Sequence, residues 1–127
     1  MKKVAYSIGS NQNFIKNAKV YFGQFLKDRG YEEKQVGKDL LLYTTKLRRI
    51  EISNRTMPTD YGFSVIIYNL KNEDHLILVH VPWNRQDDSF VFLRESFYEI
   101  ISNPKVVQTI LGTKWFKGLK GYRLNES

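Results

Sequence analysis

Apolar residues along the first third of the chain recur at helical spacing. Phe14, Ala18, Phe22, Phe25 and Leu26 fall on one stripe, Ser10 or Asn11 is placed to cap its start, and Gly30 stands where a left-handed cap closes such a segment. A helix ending near Arg29 is therefore predicted. Lys16, Lys19, Lys27 and Arg29 share it with a single acid, Asp28, so its outer surface is expected to be positive.

From Tyr31 the period shortens to that of strands. Tyr31 to Val36 and Leu40 to Thr45 flank Gly37-Lys38-Asp39, which reads as a hairpin turn. Lys46 to Ser53 continues the extended pattern, with Ile50 and Ile52 facing one way and Arg49 and Glu51 the other, and a turn follows at Asn54 to Asp60. Gly62 to Leu70 and His75 to Val81, joined by Lys71 to Asp74, are apolar on alternate and intervening positions alike, which predicts central strands covered on both faces. Pro82 ends the second of them and Trp83 to Asp88 reads as a loop. Ser89 to Arg94 fits a strand or a helix start equally. Glu95 to Ser102 reads as helix, and Asn103-Pro104 opens a second short helix that stops at Leu111 before Gly112.

These elements give an α+β fold, a four- to five-stranded antiparallel sheet with an N-terminal helix and one or two C-terminal helices, in a single domain over residues 1–127. No repeats or low-complexity tracts divide it. With 8 Phe and 8 Tyr in a chain that is 42% hydrophobic, there is material for a packed core without staples. The chain has no cysteine, which removes disulfides and thiolate chemistry and points to a reducing compartment, the cytoplasm. Met1 to Ile8 begins with lysines but meets Ser7, Gly9, Ser10, Asn11 and Gln12 instead of a continuous apolar stretch, so a secretory leader is not expected. No window reaches the length of a membrane span, and no membrane partner is expected.

Charge changes the picture most. Twenty Lys and Arg against 13 Asp and Glu give a net charge of +7, a field that draws polyanions at long range. Part of the excess is concentrated. Lys114, Trp115, Lys117, Lys120, Tyr122 and Arg123 follow Lys105 in a stretch with no acid between Glu99 and Glu126. Interleaved cations and rings suit a nucleic-acid strand, cations meeting phosphates and rings meeting bases. The same pattern also arises when Trp115, Phe116 and Tyr122 anchor the tail on the sheet. A second cluster, Lys46, Arg48, Arg49 and Arg55, lies on the middle strand and its turn, where the guanidinium fork fits phosphate or a partner's carboxylates.

Chemistry beyond binding finds little support. His75 and His80 are five residues apart on a predicted strand, which puts them on opposite faces of the sheet, where they cannot share a metal without help from elsewhere. Glu32-Glu33-Lys34 with Asp39 supplies the letters of a magnesium-dependent nuclease, though an exposed edge strand guarded by charge has the same composition. Phosphate-cradling loops, nucleophile elbows, dinucleotide fingerprints and zinc-helix motifs are all missing from the sequence. No catalytic residue, metal site or cofactor is expected.

The segment Arg49-Ile50-Glu51-Ile52-Ser53-Asn54-Arg55 resembles the Ile-Arg-Ile/Leu-Ser-Asn-His strand and turn of various small proteins of phages and mobile elements, among them a basic anti-CRISPR inhibitor. Glu51 stands at the arginine position of that pattern and Arg55 at the histidine position, so neither role carries over. The resemblance implies a mobile-element protein. Taken together, these features predict a small, basic, non-enzymatic binding protein acting on a nucleic acid or nucleoprotein complex, in the manner of a phage inhibitor of host defence. The alternatives are an immunity or inhibitor protein for an acidic protein partner, and a small nuclease.

Overall fold

A computed structural model describes residues 13–54, 62–82, 86, 91–117 and 119, and the backbone of 122–123. The first helix, α1, covers residues 13–27 and widens into a π-helical turn at Lys19–Gly23 before the closing Gln24–Lys27. The reason is legible in the spacing of its buried side chains. Phe14, Ala18, Phe22 and Leu26 are separated by four residues each, and in a regular α-helix of 3.6 residues per turn such a row drifts by about 40° at every step. A wider turn in mid-helix brings the row back over the sheet. Gly30, at φ 89, closes the helix end as expected, with the Tyr31 amide donating to the Leu26 carbonyl.

Five strands follow: β1 (Glu32–Val36), β2 (Leu40–Thr44), β3 (Arg48–Asn54), β4 (Gly62–Asn69) and β5 (Asp74–Pro82), all antiparallel and in sequence order across the sheet. Then come helices α2 (Val91–Ile101) and α3 (Pro104–Leu111), and a two-residue strand β6 (Tyr122–Arg123) that runs parallel to β5. The α+β architecture read from the sequence is the one observed. Asn103 caps α3 by accepting from the amides of Lys105 and Val106, Pro104 occupies its first turn, and Gly112 at φ 83 ends it. The capping residues expected for α1, and the turn after Asn54, lie outside the described residues. Val91 at the head of α2 resolves the ambiguous stretch after Ser89 in favour of helix for its described part.

One face of the sheet carries the core. Ile50 and Ile52, Phe63, Val65 and Ile67, Leu41 and Tyr43 are all at most 1% exposed there. The rings of Phe14, Phe22 and Phe92 converge on Phe63, and Phe22 and Phe25 meet Phe97 edge-on. Aromatic edges against aromatic faces lock α1 and α2 over the middle strands.

The structure departs from the sequence reading in three places. First, the run from Lys46 does not continue β2: the chain reverses at Thr45 to Leu47, where the Thr45 hydroxyl accepts from the amides of Leu47 and Arg48 and the Thr45 amide donates to the Arg48 carbonyl. Second, among the described residues helices cover β4 and β5 on one face only. Every described helix meets the core face, while on the other Ile66 and Tyr68 are half-buried and Leu70, in the turn beyond, is 40% exposed. Third, β5 contains a bulge. Val65 pairs with Val79 but its neighbour Ile66 pairs with Ile77, so Leu78 is an extra residue and the side-chain alternation inverts there. His75 and His80 therefore lie on the same, open face, opposite Tyr68 and Ser64, and not on opposite faces.

Candidate nucleic-acid interface

The two basic clusters of the sequence are joined by a buried arginine. Arg48 starts β3 with its side chain on the core face, 5% exposed, and has no carboxylate partner among the described residues. Its charge is met by oxygen dipoles instead. Nε donates to the Thr109 carbonyl at 2.9 Å, Nη1 to the Leu47 carbonyl at 3.1 Å and weakly to Asn69 Oδ1 at 3.4 Å, and Nη2 to the Lys114 carbonyl at 3.2 Å. Thr109 belongs to the last turn of α3, whose carbonyls form the negative end of the helix dipole; its own carbonyl also accepts from the Gly112 amide at 3.2 Å. The Tyr31 hydroxyl donates to the neighbouring Ile110 carbonyl. Burial lowers the pKa of Arg48 from its ordinary value, and burial raises that of Tyr31 far above the phenol range, so the Tyr31 hydroxyl keeps the proton it donates.

This clamp brings the tail against the turns at one end of the sheet. The β2–β3 turn carrying Lys46 and the β4–β5 turn carrying Lys71 are joined by the Leu70 amide donating to the Leu47 carbonyl. Gly112 sits against Leu47, where a Cβ would come within 3.1 Å of its Cδ1. Lys46, Lys71, Lys114 and Lys117 are all exposed at this end, and Lys105 reaches from α3 to within 5.7 Å of the Phe116 ring. Among the described residues the ion pairs are Lys19–Glu33, Lys27–Glu33 and Arg49–Glu51, so none of these five lysines is in one. Three acids border the region, Glu32 in the groove that Lys46 lines and Glu73 and Asp74 at the β4–β5 turn, and the five lysines outnumber them. Lys71 completes a cluster that the sequence shows only in pieces, because nothing local in Lys71-Asn72-Glu73 announces which turn it will face.

Comparison of the chain with protein-family models, with curated proteins and with solved structures finds no match.

The remaining residues singled out in the sequence divide by location. Trp115 is half-buried against the core, its indole Nε1 donating to Asp74 Oδ2 at 2.9 Å and its ring 5.0 Å from the Arg48 guanidinium carbon. That hydrogen bond is the leading cause of a lowered Asp74 pKa. The indole thus anchors the tail. Arg49 faces the opposite, open side of the sheet, 3.3 Å from Glu51 and stacked 4.3 Å from the Tyr68 ring centroid. Arg55 and Lys120 lie outside the described residues, as do the side chains of Tyr122 and Arg123. Of the ten candidate residues, Lys46, Lys114 and Lys117 are therefore gathered as exposed cations, Arg48 and Trp115 hold them there, and Arg49 stands apart.

Two further expectations are revised. The outer face of α1 is less positive than its composition implies, because Lys19 and Lys27 turn towards Glu33 on β1, at 3.7 and 3.9 Å. Glu33 also accepts from the Tyr43 hydroxyl at 2.8 Å. The acidic letters of the nuclease pattern are thereby separated, since Glu33 faces α1 while Glu32 and Lys34 alternate onto the open face. Among the described residues no group of three or more His, Asp or Glu side chains could hold a metal ion, and no helix is long and apolar enough to cross a membrane.

Proposed function

We propose that this protein is a non-enzymatic binding protein that engages a nucleic acid or nucleoprotein complex through the lysine-bearing end of its sheet. The observation that carries the reading is the convergence of Lys46, Lys71, Lys114 and Lys117 at one end, without an ion pair to any described acid. Cations held against an acid of the fold, as Lys19 and Lys27 are, serve the fold; cations gathered at one end without an ion pair, Lys117 among them although its field reaches Asp74, are relieved by a polyanion. The likeness of the β3 segment to small phage and mobile-element proteins adds the biological setting, an inhibitor of a host defence complex.

A second reading is favoured by one feature of the same region. Leu47 and Leu111, each 49% exposed, line a groove of about 770 Å³ together with Arg29, Tyr31, Thr45 and Lys46 and one acid, Glu32. Aliphatic walls beside cations suit an acidic protein that inserts an apolar side chain. Affinity capture from a host lysate, with and without nuclease treatment, separates the two. The nucleic-acid reading predicts bound polynucleotide, released by the nuclease. A protein partner that stays bound after the nucleic acid is destroyed supports the second.

A further inference from the structure

The open face of the sheet contains a stacked column that the lysine cluster borders. The register places Glu32, Thr44, Arg49, Tyr68 and His75 in one row across β1 to β5. Within that row the Arg49 guanidinium lies 4.3 Å from the Tyr68 centroid, and the Tyr68 and His75 rings are 5.7 Å apart at an interplanar angle of 33°. Glu51 holds the arrangement: Arg49 Nε lies 3.3 Å from one of its carboxylate oxygens and the Tyr68 hydroxyl donates to the other at 3.3 Å. Three flat groups are therefore ordered side by side before any ligand arrives. His75, exposed, closes the column at one end, and Thr44, small, leaves room beyond Arg49 at the other. The row below it, Leu42, Glu51, Ile66 and Ile77, is mostly apolar.

The column lies next to the cations. Lys46 stands two residues before the start of β3, and Lys71 two residues beyond the end of β4. Phosphates spaced along a strand can meet them while bases reach the column.

From this placement we infer that the open face takes the unpaired bases of a single-stranded nucleic acid, which extend the Arg49–Tyr68–His75 stack while Lys46 and Lys71 hold the flanking phosphates. The inference rests on the polyanion reading and adds the class of strand. Guanidinium planes, tyrosine and histidine are groups on which bases stack, and they do so only when the base is free of a duplex. The Glu51 carboxylate, committed to Arg49 and Tyr68, disfavours phosphate at the centre of the face and leaves that position to bases.

The test compares a fluorescein-labelled mixed-sequence single strand of about twelve nucleotides, as RNA and as DNA, with the corresponding DNA duplex. The expected result is a preference of about tenfold or more for single strands over duplex. His75→Ala and Tyr68→Leu should each weaken single-strand binding by about tenfold while leaving the salt dependence unchanged. Tyr68→Phe keeps the ring, loses only the bond to Glu51, and should stay within about twofold of the parent, which separates lost stacking from a damaged fold. Equal binding of duplex and single strand, or unchanged binding by folded His75→Ala and Tyr68→Leu proteins, overturns the inference. The polyanion reading survives that outcome if binding still falls steeply with salt; failure to bind any of the three probes removes both.

Discussion

The Nε of Arg48 donates to the carbonyl oxygen of Thr109 at 2.9 Å, a contact between residues 61 positions apart that ties the start of β3 to the end of α3. A buried cation is expensive unless its donors are occupied, and here carbonyls of Thr109, Leu47 and Lys114 occupy them. Truncation removes the charge-assisted bonds to all three and the packing of the side chain; the Thr109 and Leu47 carbonyls keep the Gly112 and Leu70 amides, whereas the Lys114 carbonyl loses the bond from Arg48. Arg48→Ala should lower unfolding free energy by about 3 kcal/mol in urea titrations. Arg48→Lys should recover little of it, since one ammonium cannot span carbonyls arranged for a planar fork.

Gly23 lies in the widened turn of α1, against β1 and β2. A Cβ there would sit 3.1 Å from both Glu33 Oε1 and Tyr43 Oη, although the backbone conformation is ordinary helix. Alanine normally stabilises a helix interior by about 1 kcal/mol over glycine. The contact with a fully buried tyrosine reverses the sign, and Gly23→Ala should destabilise by about 1 kcal/mol. In the Tyr43→Phe background, where one of the two close atoms is gone, the cost of Gly23→Ala should shrink, a coupling that a double-mutant cycle measures directly.

Tyr31 and Tyr43 make stability sensitive to alkali. Burial raises both phenol pKa values well above the ordinary range, and for Tyr43 the hydrogen bond and charge of Glu33 raise it further. In the unfolded chain each loses its proton near pH 10, whereas the folded protein retains it. The native state then binds more protons than the unfolded one, so unfolding free energy falls as pH rises. It should be flat with respect to these groups below about pH 9 and decline above pH 10 by up to about 1.4 kcal/mol per pH unit for each tyrosine. Denaturation of the Tyr31→Phe, Tyr43→Phe double variant, followed at several alkaline pH values, should show the decline largely abolished.

Much of the architecture is written in local signals. The stripe of Phe14, Ala18, Phe22 and Leu26, the glycine at position 37 with φ 66, and the Asn103-Pro104 and Gly112 boundaries of α3 each act within a few residues, and each appears where the sequence puts it. What escaped depends on partners far along the chain. Thr45-Lys46-Leu47 contains no glycine, proline or asparagine, so the reversal between β2 and β3 has no turn signature. Within Leu76 to Val81 the apolar run hides its parity, and the bulge at Leu78 that reunites His75 and His80 on one face is set by pairing with β4.

The basic residues show the same division. Counting cations locates the tail and the β3 segment, but composition cannot distinguish Arg48, whose acceptors lie in α3 and beyond it, from Lys46 two positions earlier, which stays exposed. Trp115 presents the same difficulty, its indole being claimed by Asp74 from the opposite side of the sequence. Only the assembled sheet shows which charges remain available to a partner.

The most direct measurement is the salt dependence of polynucleotide binding by the parent protein and by the Lys46→Ala, Lys114→Ala, Lys117→Ala triple variant. Each phosphate neutralised by a cation contributes about 0.7 to 0.9 to the slope of log affinity against log salt concentration. Replacing three exposed lysines, none in an ion pair with a described acid, should leave the fold intact and flatten that slope by about 2 to 3. A triple variant that binds as tightly as the parent, with an unchanged slope, would contradict the account.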